Sequence, residues 1–289
     1  MPPAPAISVV VMAIHSDARI ADAIASLADA TVAAQIIVVN TGTGSLKATL
    51  HDRLDTIVLV ERPIASLPGV TRNLGLAEVR APIVAFLAAD CLATDGWLSK
   101  RLAAHADALS VASAILPAPA ADGHVPLIDW ASCLLLHARR LPFSPPHLAR
   151  RHGVSYAREL FDRHGTFLEG VRIAEDTEFN SRLAETPAWA PAIVTLHRYP
   201  GTVGASIADI FRRGQRLQHW TSAHHAFATP RALRGTAGAL WSAMVLIRRA
   251  PKNKRRKLIA AAPLVWLLAL AYAAGALSQM GRSPRITAG

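Results

Sequence analysis

The stretch "APIVAFLAADC", residues 81–91, decides how the first part of this chain folds. It is a continuous apolar run of the kind that forms a strand covered on both faces, and it ends on a single carboxylate, Asp90. A helical pattern precedes it, so the run predicts a strand of a parallel sheet. Ligands bind beyond the carboxyl ends of the strands in such sheets, and we therefore expect Asp90 at a binding edge.

The same alternation of strand and helix fills the first 90 residues. Strand-like runs at 6–16, 35–40 and 56–61 precede the run that ends at Asp90, and helical patterns separate them, with a short helix predicted at 46–54. This order predicts an α/β fold with a mainly parallel sheet flanked by helices. His15 and Asn40 follow or end two of these strands, so they are expected at the same edge as Asp90.

Charge is distributed unevenly along the 289 residues. The net charge is +11, but residues 201–289 carry 14 Lys and Arg against one acid, Asp209, which leaves the preceding 200 residues nearly neutral. A nucleic-acid binder would be expected from an evenly spread positive charge. Because the charge is confined to the tail, the sequence predicts no nucleic-acid partner.

The two cysteines, Cys91 and Cys133, have no paired or metal-type spacing, which favours a reducing compartment over a disulfide framework. The N-terminal run lacks the basic region of a secretory signal, so we expect the body in the cytoplasm.

The tail contains a long apolar segment. The segment 258–277 consists of 20 residues, none of them charged, and it directly follows the basic run "KNKRRK" at 252–257. That length matches the hydrocarbon core of a bilayer, and clustered basic residues favour its cytoplasmic side. We predict a catalytic-sized domain at 1–220 and a helical, membrane-associated tail at 221–289, on the cytoplasmic face of the inner membrane. A single span, a re-entrant or interfacial arrangement and a buried core helix remain alternatives.

Five blocks together resemble family 2 glycosyltransferases of the GT-A fold in order and spacing. The resemblance covers roughly residues 6–220, and the blocks are "ISVVVMAIHSD" (7–17), "IIVVNTGTGS" (36–45), "GVTRNLGLAEVRAPIVAFLAADCLATDGWL" (69–98), "GVSYARELFDRHGTFLEGVRIAEDTEFNSRL" (153–183) and "LHRYPGTVGASIADIFRRGQRL" (196–217). The resemblance implies a Rossmann-like nucleotide-diphospho-sugar transferase that inverts the anomeric carbon of its donor.

The resemblance also implies a divalent metal, Mg²⁺ or Mn²⁺, that holds the donor diphosphate. "AAD" stands in place of the family's Asp-x-Asp motif, so Asp90 resembles the metal-binding acid while Ala88 replaces the other acid. A hard cation held by carboxylate oxygen stabilises the charge that gathers on the leaving nucleoside diphosphate. His197 resembles a histidine that approaches the metal or diphosphate in many relatives, although a surface role remains open.

The remaining implied site residues bind the donor or activate the acceptor. Asp176 resembles the general base, which the poorly nucleophilic acceptor hydroxyl requires. Arg72 resembles a residue that faces the nucleotide, and Asn40 stands where the family usually has an acid near the base and ribose. Arg212 and Arg213 offer guanidinium groups to the phosphate of donor or acceptor, or to anionic lipid.

We therefore predict a glycosyltransferase that moves a sugar from a nucleotide-sugar to a lipid-linked or cell-envelope glycan acceptor. The acceptor is inferred from the predicted membrane location. The alternative is a catalytically eroded relative that acts as a membrane-associated binding or scaffold protein, because Ala88 and Asn40 both lack the usual acid.

Overall fold

A computed structural model describes residues 4–224 and 228–279, and the side chains of these residues outside 217–233. The chain divides into two compact units. The first contains the residues up to Ala114 and the segment Arg150–Leu196, and the second contains Ile115–Ala149 and the described residues from His197 onward. The domain boundary predicted at residue 220 stays a prediction.

Strands and helices alternate in the first 90 residues as the sequence predicts. The elements are β1 (Ile7–Ile14), α1 (Ile20–Ala25), β2 (Ala34–Thr41), β3 (Ile57–Arg62), α2 (Pro68–Leu76), β4 (Ile83–Ala88), β5 (Cys91–Ala93), α3 (Trp97–Ala104), β6 (Ser110–Pro117), α4 (Leu127–His137), β7 (Ser155–Ala157), α5 (Glu159–His164), α6 (Glu175–Arg182), β8 (Ala188–His197), α7 (Val203–His224), α8 (Ala228–Arg249) and α9 (Lys252–Leu277). The helix predicted at 46–54 is shorter than expected, a 3₁₀ turn at His51–Arg53.

The sheet has the strand order β3-β2-β1-β4-β7-β6-β8-β5. Strands β1 to β4 pair in parallel, which confirms the predicted α/β fold class. The first five residues of β1 are all buried, as expected for a strand with helices on both faces. The continuous apolar runs of the sequence therefore become the centre of the sheet.

The parallel register aligns the carboxyl ends of β1, β2 and β4. Ala13 pairs with Asn40, and Met12 pairs with Ala88. The Ala89 amide then donates to the Met12 carbonyl at 2.9 Å, which fixes the start of the turn that carries Asp90. His15, Asn40 and Asp90 consequently lie at one edge of the sheet.

Strand β7 brings another segment to this edge. It runs antiparallel to β4, with Ile83 opposite Ala157 and Val84 opposite Tyr156. The residues before β7 therefore lie toward the carboxyl end of β4, and His152 is three residues before the start of β7.

A cluster of aromatic rings packs between α6 and the sheet. Phe179 of α6 is fully buried and stacks on Phe161 with ring centroids 4.7 Å apart, while Tyr156 meets Phe179 edge-on at 5.1 Å. Phe86 and Phe167 complete the cluster with a further edge-on pair at 5.3 Å. Such pairs contribute beyond simple area burial, so the cluster fixes α6 against the sheet.

The second unit is built from helices α4, α7, α8 and α9 around their own apolar core. Helices α7 and α9 approach closely where Gly214 faces Gly275: a Cβ on Gly214 would lie 2.2 Å from the Tyr272 carbonyl oxygen, and one on Gly275 would lie 2.1 Å from that of Phe211. Only glycine permits this approach.

Helix α9 has two different faces. Leu258, Val265 and Leu268 are buried in the second unit, whereas Trp266 is 54% exposed and Leu270 is 68% exposed. By length and composition, α9 is the helix of the described residues that could cross a membrane.

Replacing Phe179 by Ala removes the centre of the aromatic cluster. We expect Phe179→Ala to lower the free energy of unfolding by about 3–5 kcal/mol, because a large buried ring leaves a cavity. Chemical denaturation measures the change, with Ile64→Ala as control, since Ile64 is 63% exposed. Equal effects of the two substitutions would contradict the assigned core.

Candidate active site

Two loops meet at the carboxyl ends of β1 and β2. His15 and Ser16 adopt positive φ angles of 54° and 56°, a conformation that is uncommon outside glycine. The Asn40 side chain holds this turn: its Oδ1 accepts from the Ser16 amide at 3.0 Å, and its Nδ2 donates to Ser16 Oγ and to the Gly44 carbonyl, both at 3.2 Å. His15 Nδ1 accepts from the Thr43 amide at 3.2 Å.

The carboxylate of Glu61 lies beside the side chain of Asn40, which favours an uncharged amide at position 40. Glu61 accepts hydrogen bonds from the Leu46 amide at 2.8 Å and from Ser45 Oγ at 3.0 Å. Burial acts to raise the pKa of Glu61, but the hydrogen bonds from Leu46, Ser45 and Asn40 outweigh it and leave the pKa lowered. An aspartate at position 40 would put a second carboxylate beside Glu61 and would lose the donor to Gly44.

Arg72 lies on α2 and is held in place by charge and by aromatic rings. Its Nε donates to Glu175 Oε1 at 3.1 Å, and both side chains are largely buried. The guanidinium also lies over the rings of Phe86 and Phe167, at 5.0 and 5.2 Å. Arg72 is thus fixed next to the start of α6, where Glu175 and Asp176 are the first two residues.

Asp176 forms a hydrogen-bonded pair with His152. The distance from His152 Nδ1 to Asp176 Oδ2 is 2.8 Å, and Asp176 Oδ1 accepts from the Thr177 amide at 2.8 Å. Burial opposes ionisation of Asp176, but the hydrogen bond and charge of His152, together with the charge of Arg72, outweigh it and hold the pKa well below its usual range. Asp176 is therefore an ionised carboxylate at neutral pH.

Asn180 fixes the segment that carries His152. Its Oδ1 accepts from the Tyr156 hydroxyl at 2.9 Å, and its Nδ2 donates to the Arg151 carbonyl at 2.9 Å. Because Asn180 lies one turn after Asp176 on α6, the helix positions both members of the hydrogen-bonded pair.

Asp90 lies in the turn between β4 and β5, and its Oδ1 accepts from Cys91 Sγ at 3.6 Å. Asp17 raises the pKa of Arg19, and the charge of Asp90 adds to this effect. Ala88 offers no ligand atom. A single carboxylate still fits Mg²⁺ or a similar ion, because such ions commonly take one or two protein carboxylates and complete their shell with substrate phosphates and water.

The other predicted site residues belong to the second unit. The ring of His197, at the end of β8, lies 4.4 Å from the ring of Tyr199 and 5.8 Å from that of His137. On α7, Arg213 Nε donates to Asp209 Oδ2 at 2.7 Å, and Arg212 is exposed. Their roles in metal and phosphate binding stay predictions.

Sequence reasoning did not find His152 or Glu61. Glu61 ends a strand-like run beside the other edge residues, which is a usable signal. His152 follows a Pro- and Arg-rich loop, and nothing in the local pattern relates it to a helix 24 residues later.

Comparison with known proteins identifies the family. The model of glycosyl transferase family 2 matches residues 8–166, more than half of the chain. The chain belongs to glycosyl transferase family 2. The match includes Arg72, Asp90 and His152 but ends before Asp176. No curated protein matches the sequence.

Two solved structures are similar to the chain, and the first of them shares its fold. The mannosyltransferase PcManGT from Pyrobaculum calidifontis, solved with GDP-Man and Mn²⁺, is 16% identical with a TM-score of 0.58, over 96% of this chain and 87% of that chain. TarS 1-349 from S. aureus, solved with UDP, is 15% identical with a TM-score of 0.49, over 94% of this chain and 90% of that chain. The predicted family, GT-A fold and class of enzyme, a nucleotide-sugar glycosyltransferase, are confirmed.

Substituting Asn40 by Asp tests the loop arrangement. We expect Asn40→Asp to lower the free energy of unfolding by about 1–3 kcal/mol, because a buried hydrogen bond is lost and a carboxylate is added beside Glu61. Thermal and chemical denaturation measure it. The control is Asp52→Asn, which exchanges the same two residue types in the opposite direction at a side chain that is 82% exposed. An unchanged or raised stability of Asn40→Asp would contradict the assignment.

Proposed function

We propose that the protein is an inverting glycosyltransferase that transfers a sugar from a nucleotide-sugar to a hydroxyl of a lipid-linked or cell-envelope glycan. The observation that carries this proposal is the register of β1, β2 and β4, which gathers His15, Asn40 and Asp90 at one edge of the sheet. In parallel α/β sheets this edge is the usual site of ligand binding.

The donor nucleotide lies across the ends of β1 and β2 in this proposal. His15 and the amide of Asn40 offer hydrogen-bonding groups without negative charge, which suits a ligand that carries two phosphates. Arg72 supplies a fixed positive charge nearby, partly neutralised by Glu175. PcManGT, whose fold is similar, was solved with a nucleotide-sugar, which supports a donor of this class.

Asp90 would hold the divalent cation in this proposal, and His197 keeps the metal-binding role predicted from the sequence. When bound, Mg²⁺ or Mn²⁺ neutralises the charge that develops on the leaving diphosphate. The Mn²⁺ bound with GDP-Man in PcManGT supports the choice of ion. In this proposal Arg212 and Arg213 bind the phosphate of the donor or of the acceptor.

Asp176 and its hydrogen-bonded partner His152 together form the general base that activates the acceptor hydroxyl. Asp176 is ionised at neutral pH, it is the second residue of α6, and its partner His152 precedes β7 at the same edge of the sheet as Asp90. Attack from the face opposite the leaving diphosphate then inverts the anomeric carbon.

The second unit attaches the enzyme to the cytoplasmic face of the inner membrane. One face of α9 packs on its neighbouring helices, so an interfacial arrangement in which Trp266 and Leu270 enter the lipid agrees better with the packing than a span with lipid on all sides. The basic residues 252–257 at the start of α9 complement anionic headgroups.

Hydrolysis of nucleotide-sugars tests the enzymatic proposal. Purified protein with Mn²⁺ and a panel of UDP- and GDP-sugars is expected to release nucleoside diphosphate, with water as acceptor. Asp90→Asn and Asp176→Asn are expected to reduce the rate by about 10²-fold or more, because each removes a charged group from the transition state.

Asp52→Asn is the matched control, since Asp52 is exposed. Donor binding, followed by thermal shift, should fall in Asp90→Asn and persist in Asp176→Asn. Absence of turnover and of nucleotide binding in the wild-type protein would contradict the proposal and favour the scaffold alternative.

Binding to vesicles tests the membrane proposal. We expect the double variant Trp266→Gln/Leu270→Gln to bind phosphatidylglycerol vesicles about tenfold or more weakly, because each large apolar side chain contributes about 1.5–3 kcal/mol on leaving water. Co-sedimentation measures binding. Leu109→Gln, at an exposed leucine of the first unit, is the control. Equal binding of both variants would contradict the proposed surface.

A further inference from the structure

We propose that His152 is the residue that takes the proton of the acceptor hydroxyl, and that Asp176 acts through it. This inference rests on the proposed function and identifies the atom that performs its base step. The carrying observation is the hydrogen-bonded pair formed by His152 and Asp176 at the edge of a cavity in the first unit.

The hydrogen bond determines the tautomer of His152. An ionised carboxylate only accepts hydrogen bonds, so at 2.8 Å from Asp176 Oδ2 the Nδ1 of His152 must carry a proton. In the neutral imidazole, Nε2 then carries the lone pair. Among the hydrogen bonds of the described residues, Nδ1 is the ring atom of His152 that is engaged, and Nε2 is left for a ligand.

Asp176 itself is poorly suited to receive the proton. Both of its oxygens accept hydrogen bonds, Oδ2 from His152 and Oδ1 from Thr177, and its pKa is well below the usual range. A general base is most effective when its pKa lies near the working pH, and imidazole is the side chain that meets this condition. The carboxylate instead orients the ring and stabilises the imidazolium that forms.

The cavity beside His152 offers room for the acceptor. Its volume is about 270 Å³, just under the roughly 300–1,000 Å³ of small-molecule sites, which suits the reacting end of a larger acceptor. Its lining is mixed, with Leu183, Ala184 and Pro187 on the apolar side, and its polar members include Arg151, His152, Thr177, Asn180 and Ser181. Hydroxyl, amide and guanidinium groups of this kind bind the hydroxyls of a sugar or the phosphate of a lipid-linked sugar.

The reaction balances with no further reactant. The acceptor oxygen forms a bond to the anomeric carbon as its proton passes to His152 Nε2. The bond from the anomeric carbon to the diphosphate oxygen breaks, and the electron pair leaves with the nucleoside diphosphate. The imidazolium then returns its proton to solvent.

The variant His152→Asn separates a catalytic role from a structural one. The Asn amide can occupy the place of Nδ1 and keep the hydrogen bond to Asp176, but it has no basic atom in place of Nε2. With the UDP- and GDP-sugar panel and water as acceptor, we expect kcat to fall about 10²-fold or more, while nucleoside diphosphate binding stays unchanged.

His51→Asn is the matched control, because His51 forms a 2.8 Å pair with Asp52 at the surface, where its side chain is 70% exposed. A His152→Asn variant with the activity of this control would overturn the inference. Turnover by the wild-type protein together with loss in His152→Asn would support it. Absence of turnover in the wild-type protein would overturn both the inference and the proposed function.

Two further measurements distinguish loss of the catalytic imidazole from a substitution that only disturbs folding. Added imidazole is expected to restore part of the activity of His152→Ala. The wild-type kcat/KM is also expected to fall towards acidic pH, where an imidazole base is protonated, and this acidic limb should be lost in His152→Asn.

Asp176 pairs with His152, Arg151 lines the same cavity, and Arg72 and Glu175 lie next to Asp176, so loss of the acidic limb in His152→Asn is the result that assigns it to the imidazole. Absence of rescue, together with an acidic limb that persists in His152→Asn, would overturn the inference.

Discussion

The parallel register of β1, β2 and β4 is the constraint on which the site depends. Backbone hydrogen bonds fix Ala13 opposite Asn40 and Met12 opposite Ala88, so the ends of three strands cannot shift independently. A slip by one residue would turn every side chain to the other face of the sheet. The apolar runs that bury both faces of these strands therefore also determine where the polar residues after them lie.

Charges near this edge are each compensated by a specific neighbour. Glu61 is stabilised by amides and hydroxyls, Glu175 by Arg72, and Asp176 by His152. Removing Arg72 would leave the buried Glu175 carboxylate uncompensated, which is more costly than the pair is stabilising. The amide at position 40 belongs to the same arrangement, because it avoids a second carboxylate beside Glu61. Its departure from the usual family acid thus has a structural reason within this chain.

The sequence predicts the position of those candidate residues that follow the ends of strands. Buried parallel strands have continuous β-branched runs, and their last residues share an edge, so Asp90, Asn40 and His15 could be placed from pattern alone. His152 could not, because its position depends on the antiparallel pairing of β7 with β4. The helix predicted at 46–54 is a single 3₁₀ turn at His51–Arg53. Ser45 and Leu46, at the start of that segment, instead donate hydrogen bonds to Glu61. The length of the apolar segment in α9 was evident, whereas its packed face depends on contacts distant in sequence.

A crystal structure with bound nucleoside diphosphate and Mn²⁺ tests the central claim most directly, because anomalous scattering locates the manganese independently of the protein model. We expect a manganese peak coordinated by the Asp90 carboxylate, with the diphosphate beside it at the carboxyl ends of β1 and β4. A nucleotide bound at that edge with manganese away from Asp90, or a nucleotide bound elsewhere on the protein, would contradict it.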